Sequence, residues 1–204
     1  MSERLSAGQS ATAGAAGPVG SAQPGVTVRL SVPGAVQMRL LGARLAGLLR
    51  PADLVVLAGS LGAGKTTLVQ GIGEGLGIRG PVTSPTFVIA RVHPSLRGGP
   101  DLVHADAYRL GSQVEVDDLD LDADIDHCVT VVEWGEGLVE GLATGHLRIT
   151  IDRPAAEAAA AAGPEDGSEE GTQDQPRSVT VTGYGSRWEA AADRLRAALA
   201  DSPG

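Results

Sequence analysis

The spacing of apolar positions changes along the chain, and the changes predict alternating strands and helices. Val26 to Val32 alternates apolar and polar residues, the two-residue period of a half-buried strand. From Ala35 to Arg50 the apolar residues Val36, Leu40, Leu41, Leu45 and Leu48 recur at helical spacing, which predicts a helix. Leu54 to Ala58 is a short unbroken apolar run, the mark of a buried strand, and Thr66 to Leu76 returns to helical spacing. Phe87 to Val92 and Leu102 to Ala105 are strand candidates, and Val129 to Val132 is a second buried run. Leu147 to Ile151 and Val179 to Thr182 read as strands on either side of a polar interval. Arg187 to Ala200 closes the chain as an amphipathic helix. This order predicts an α/β fold: a largely parallel sheet flanked by helices, with some antiparallel, hairpin-connected late strands.

Three intervals carry no such pattern. Residues 1–24 are mainly Ser, Ala, Gly, Pro and Gln, too poor in large apolar side chains to fold, and read as a disordered tail. Residues 154–177 hold an alanine run, then Gly and Pro, with six acids in all against one arginine, and read as a flexible insertion. Residues 201–204 form a short tail. What remains, within 25–200, is a normal size for one domain.

Composition narrows the class. Apolar residues make up 42% of the 204, but only five are aromatic, so the core must be mostly aliphatic. There is no apolar run long enough for a transmembrane helix, and no basic-then-apolar start of a secretory signal. The single cysteine, Cys128, excludes an internal disulfide framework and suits a reducing, cytoplasmic setting. The net charge of −9 argues against stand-alone nucleic-acid binding. Much of that charge lies in the insertion and in residues 115–126, which hold seven acids and no base. That stretch lacks the glycine and terminal glutamate of a calcium loop; it reads as a solvated face before it reads as a docking surface for a basic partner. Cys128 reads as a small buried hydrophobe, and His93, His104, His127 and His146 lack metal-ligand spacing and read as structural or surface residues.

Of the 16 basic residues only one, Lys65, is lysine. It lies in Gly59-Ser60-Leu61-Gly62-Ala63-Gly64-Lys65-Thr66, a G-x-x-x-x-G-K-T loop between a predicted buried strand and a predicted helix. Glycines let such a loop curl so that its N–H groups face phosphate oxygens, and the helix N-terminus adds its positive dipole end. Lys65 would reach the outer phosphates and Thr66 would present its hydroxyl to Mg²⁺. The chain has no Asn and no second Lys, so it cannot contain the Asn-Lys-x-Asp element of guanine recognition, and ATP is favoured over GTP. Two acids, Asp106 and Glu133, each follow an apolar strand, where ligands bind in open α/β sheets. A lone acid there is as often a helix cap or a solvated turn. Two of them beside a phosphate loop favour a metal or water-positioning role.

Taken in order, the loop through Thr67, Val82-Thr83-Ser84-Pro85-Thr86-Phe87, His104-Ala105-Asp106-Ala107-Tyr108-Arg109-Leu110 and Glu133-Trp134 resemble the TsaE (YjeE) family. The resemblance covers roughly 26–153 and the strand after the insertion. It implies a bacterial P-loop ATPase needed for threonylcarbamoyladenosine at tRNA position 37, acting with TsaB and TsaD and meeting tRNA only through that complex. It further implies that Ser60, Leu61, Gly62, Ala63, Gly64, Lys65, Thr66 and Thr67 hold the nucleotide. Thr66 and Glu133 would ligate Mg²⁺, with Asp106 a second acid near the metal or attacking water. Ser84-Pro85-Thr86 would form a switch-like loop, Trp134 would pack beside the site, and Arg177 stands where the family often has an arginine. Ser60, in place of the usual acid, and His93, in place of the usual Tyr, depart from the family pattern. A small-molecule kinase and a non-hydrolysing adaptor are the alternatives. Only Arg97 sits in a loop suited to a kinase lid, and the two acids argue against an adaptor.

Overall fold

The computed structural model describes residues 23–85, 89–110, 125–153 and 176–200. Residues 1–22 of the predicted tail, residues 201–204, most of the insertion, most of the acidic stretch 115–126, and Thr86 and Phe87 lie outside the described residues, while Pro24, assigned to the tail, begins the first strand. Seven strands form one mixed sheet: β1 (Pro24–Val32), β2 (Leu54–Ala58), β3 (Ala90–His93), β4 (Asp101–Asp106), β5 (Cys128–Glu133), β6 (His146–Asp152) and β7 (Arg177–Tyr184). The helices are α1 (Ala35–Ala46), α2 (Lys65–Leu76), α3 (Ser186–Ala190) and α4 (Ala192–Ala200). The strand order is β1-β7-β6-β2-β5-β4-β3.

Strands β6, β2, β5 and β4 run parallel, whereas β7, β1 and β3 are antiparallel to their neighbours. The α/β architecture with a parallel centre agrees with the expectation, including the late antiparallel pair β6–β7. The sheet is more evenly mixed than expected, because the early strand β1 and the edge strand β3 are antiparallel too. Other boundaries differ, and β3, expected over Phe87–Val92, begins at Ala90 and runs to His93. The first helix ends at Ala46 and not at Arg50, since Gly47 takes the C-cap position and its N–H closes back on Arg44 and Leu45. The last helix is two helices, α3 and α4, with a break at Ala191. Arg177, assigned to the insertion, is instead the buried first residue of β7.

The centre of the sheet is buried on both faces, which is why β2 is an unbroken apolar run and β5 is apolar apart from Thr130 and the terminal Glu133 (every residue of both strands is buried). One face holds the larger core. There Val55 and Leu57 of β2, Leu147, Ile149 and Ile151 of β6, and Val179 and Val181 of β7 meet Met38, Leu41 and Leu45 of α1, Leu68 and Ile72 of α2, and Trp188 and Leu195. Leu54, Val56, Val103, Ala105 and Val132 face the other way, beneath Val139. Helices α1 and α2 approach closely. A Cβ on Gly71 would fall 2.0 Å from the Arg39 carbonyl oxygen, and one on Gly42 would fall 2.3 Å from that of Leu68. This contact seats the helix that begins at Lys65.

Candidate functional site

The carboxyl ends of β2, β4, β5 and β6 share one edge of the sheet, and the loop 59–64 leaves β2 there. The loop's conformation depends on its glycines: Gly62 and Gly64 have φ of 71° and 113°, left-handed values that side chains rarely adopt. Gly64 is the N-cap of α2, with no side-chain cap, so the first N–H groups of that helix face outward with its dipole. Ser60, Leu61 and Gly62 are exposed, Ala63 is buried, and Thr66 and Thr67 are half-buried on the first turn of the helix.

Lys65 turns back into the loop. Only 4% exposed, its Nζ donates to the carbonyl oxygens of Gly59 at 2.8 Å and Ser60 at 3.0 Å. The ammonium also lies 3.7 Å from the centroid of the Trp134 ring, a cation–π contact. Burial pushes the Lys65 pKa down, and the nearby Glu133 and Asp106 carboxylates oppose that shift. Trp134 can reach Lys65 because its backbone turns sharply after β5: its φ is +61°, an outlier for a bulky residue. Its N–H donates to the Leu57 oxygen at 2.9 Å, which pins this turn to the loop-bearing strand. Tyr108 packs against Trp134, with ring centroids 5.1 Å apart.

The acids meet on the same edge. Asp106 and Glu133 are register partners at the ends of β4 and β5, both buried. Glu133 Oε1 accepts from Thr66 Oγ1 at 2.9 Å and is 3.0 Å from His104 Nε2. Asp106 Oδ1 accepts the Tyr108 N–H at 2.9 Å, which shapes the turn that carries Tyr108. The backbone N–H of Asp106 donates to Ile89 O, and the N–H of Ile89 donates to Pro85 O, both at 2.8 Å. The Ser84-Pro85 segment is thereby tied to the same edge, while Thr86 lies outside the described residues. Ile89 has a φ of +70°, a second left-handed outlier beside the acids.

On the far side of the loop lies an open groove of about 500 Å³ lined by Arg29, Leu30, Ser31, Arg153, Pro176, Arg177 and Ser178. Arg153 joins the groove to the loop, with Nη2 donating to Gly62 O at 2.6 Å. Lys65, Thr66, Asp106, Glu133 and Trp134 therefore converge, and Arg177 stands apart in this flanking groove. Sequence reasoning missed two neighbours. Arg153 has no motif around it and was not visible. His104 heads the H-x-D element, so its spacing from Asp106 was a signal, but its contact with Glu133 depends on the β4–β5 register.

No group of three or more His, Cys, Asp or Glu side chains able to hold a metal occurs among the described residues. A hydroxyl beside a carboxylate suits a hard cation that keeps water and phosphate oxygens as its other ligands, as Mg²⁺ does.

A parallel-centred sheet, a glycine loop entering a helix and a buried lysine in that loop define a P-loop NTPase-like α/β protein. A family model described as "Threonylcarbamoyl adenosine biosynthesis protein TsaE" matches residues 32–160. The chain belongs to the TsaE family, and its role is in threonylcarbamoyladenosine modification of tRNA. It is 59% identical over 155 residues to the tRNA threonylcarbamoyladenosine biosynthesis protein TsaE of Streptomyces coelicolor, covering 76% of this chain and 95% of that protein. The protein of the same name from Bacillus subtilis is 36% identical over 147 residues, covering 72% and 79% respectively. The crystal structure of Bacillus subtilis YdiB superposes with a TM-score of 0.62 at 28% identity, covering 84% of this chain and 95% of that one. No helix among the described residues is long and apolar enough to cross a membrane.

Proposed function

We propose that this chain binds ATP with Mg²⁺ in the loop 59–66 and hydrolyses it in association with homologues of TsaB and TsaD. Its hydrolysis serves tRNA modification without direct contact with tRNA. The observation that carries this reading is Lys65. A buried ammonium held by two loop carbonyls and an aromatic face is a cation stored where phosphates would sit. Its desolvation cost is met on folding, so a phosphate meets a charge that is already dehydrated.

In this reading the loop N–H groups from Ser60 to Thr67 cradle the phosphates, and Lys65 exchanges its carbonyl partners for phosphate oxygens. Thr66 and Glu133 hold Mg²⁺, which supplies charge neutralisation across the outer phosphates. Asp106, opposite Glu133 in register, orients water on the same edge. Ser84, Pro85 and Thr86 form a switch-like loop at the outermost phosphate, and the tether of Pro85 through Ile89 to Asp106 supports its response to phosphate loss. Trp134 stays beside Lys65 and excludes water from it. Arg177 and Arg153 face the nucleoside side of the loop, in the groove away from Glu133.

The test is phosphate release from ATP by the pure protein, alone and with TsaB, TsaD and tRNA. Slow release alone and stimulation by the partners is expected. Transfer of the phosphate to a metabolite, or binding without turnover under every condition, would overturn it.

A further inference from the structure

His104 is fully buried on β4 and has a hydrogen-bonding neighbour at only one end of its ring: Nε2 meets Glu133 Oε1 at 3.0 Å, while Nδ1 is buried with no partner. An apolar side chain on this strand would pack without stranding a nitrogen, so the imidazole is retained at a cost to stability. A carboxylate can only accept, so the proton of this contact is on Nε2. The same oxygen also accepts the Thr66 hydroxyl proton. Glu133 Oε1 is therefore held from two directions, by β4 and by the first turn of α2. Among the described residues Oε2 accepts no hydrogen bond. With its proton committed to Oε1, the Thr66 hydroxyl is left with lone pairs only.

We propose that His104 is a positioning residue for Glu133: its Nε2–H fixes the carboxylate so that Oε2 and the lone pairs of Thr66 stay available to a divalent cation. The proposal rests on the nucleotide-and-cation reading given above. It assigns His104 no contact with substrate and no proton transfer. Removing a group that orients a metal-binding side chain commonly weakens metal affinity about 10- to 100-fold.

The experiment compares His104→Asn with His104→Gln. The Gln amide can place a donor where Nε2 stood, whereas the Asn amide falls short at the Nδ1 position. The readout is the Mg²⁺ concentration giving half of the Mg²⁺-dependent fluorescence change of the ADP-bound protein, with Mg²⁺-free ADP affinity measured alongside. His104→Asn should raise the Mg²⁺ requirement about 10-fold or more and leave Mg²⁺-free ADP affinity within about 2-fold. His104→Gln should return the requirement to within about 3-fold of the wild type. A single Mg²⁺ requirement for all three proteins, or a Gln variant as impaired as Asn, would overturn the proposal. So would a fall in Tm with the Mg²⁺ requirement unmoved, the signature of a packing role. A wild type that binds no nucleotide, or shows no Mg²⁺ response, would sink the site reading itself; a normal wild type with an unshifted Asn variant sinks only the role of His104. The imidazole ¹⁵N spectrum of the wild type needs no His104 variant. A protonated Nε2 that shifts when Mg²⁺ is added to the ADP complex, and is displaced in Glu133→Gln, is expected; an unresponsive ring overturns the proposal.

Discussion

Replacing Lys65 with alanine probes the site most directly. In the free protein the ammonium is dehydrated and held by Gly59 O and Ser60 O. Binding exchanges these neutral acceptors for charged phosphate oxygens, so the gain is the difference between the two sets. Two unit charges about 4 Å apart interact by about 4 kcal/mol at the effective dielectric of a protein surface. The lost carbonyl and ring contacts offset part of this, leaving about 3 kcal/mol, or roughly a 150-fold loss of affinity for ATP in Lys65→Ala. Lys65→Arg should not restore it, because a planar fork is wider than the space between two carbonyls and an indole face. The assay is quenching of Trp134 fluorescence on titration with nucleotide, against the background of the fully buried Trp188. Affinity within about 3-fold of the wild type in Lys65→Ala would refute the exchange argument.

Three other outcomes follow from the same geometry. Glu133→Gln should bind ATP but lose Mg²⁺-dependent phosphate release by about 100-fold or more, and normal turnover would remove Glu133 from the site. Gly71→Ala should destabilise the fold by about 1–3 kcal/mol despite better helix propensity, because its Cβ meets backbone at Arg39; a Tm equal to or above wild type would refute this. Burial holds the Lys65 pKa below the ordinary 10.5, so nucleotide affinity should fall on the alkaline side before that value is reached. Stability carries the opposite sign: between the lowered pKa and 10.5 the unfolded chain binds more protons, so native stability rises with pH there. An alkaline loss of affinity that persists unchanged in Lys65→Ala would assign it to another group.

The parts of the fold that were legible are those set by local pattern. Leu54–Ala58 read as a buried strand because both faces are covered, and Thr66–Leu76 read as a helix, one residue short of the observed Lys65–Leu76, because one face is. The hydrophobic period does not encode strand partners, so the antiparallel placement of β1 and β3 was not visible. Nor was the end of α1 at Ala46, because the apolar spacing continues through Leu48 and Leu49, whose N–H groups turn back on Leu45 and Ala46 beyond the Gly47 cap without extending the helix. The single lysine was visible as a departure from a strong arginine habit, and the family resemblance implied Trp134 beside the site, but the direct contact between the two was not visible. Trp134 reaches Lys65 only through a positive φ at a residue whose type gives no hint of it.

His104 shows most clearly where local reading ends. Its two-residue spacing from Asp106 places both side chains on the α2 side of β4, beside Leu102 of the larger core. Glu133 reaches that side only because β5 pairs in the register Asp106↔Glu133 and His104↔Val131. A slip of one residue would turn Glu133 to the opposite face, away from Thr66, and leave both His104 nitrogens stranded. The site therefore depends on sheet register as much as on motif. The β4–β5 pairing sets the distance between Glu133 and His104, and the β2–β5 pairing sets that between Glu133 and the loop. A substitution that shifts β5 without touching a motif residue should impair Mg²⁺ response before nucleotide binding, because the loop glycines and Lys65 lie on β2 and α2, and of the Lys65 contacts only the Trp134 ring comes from the end of β5.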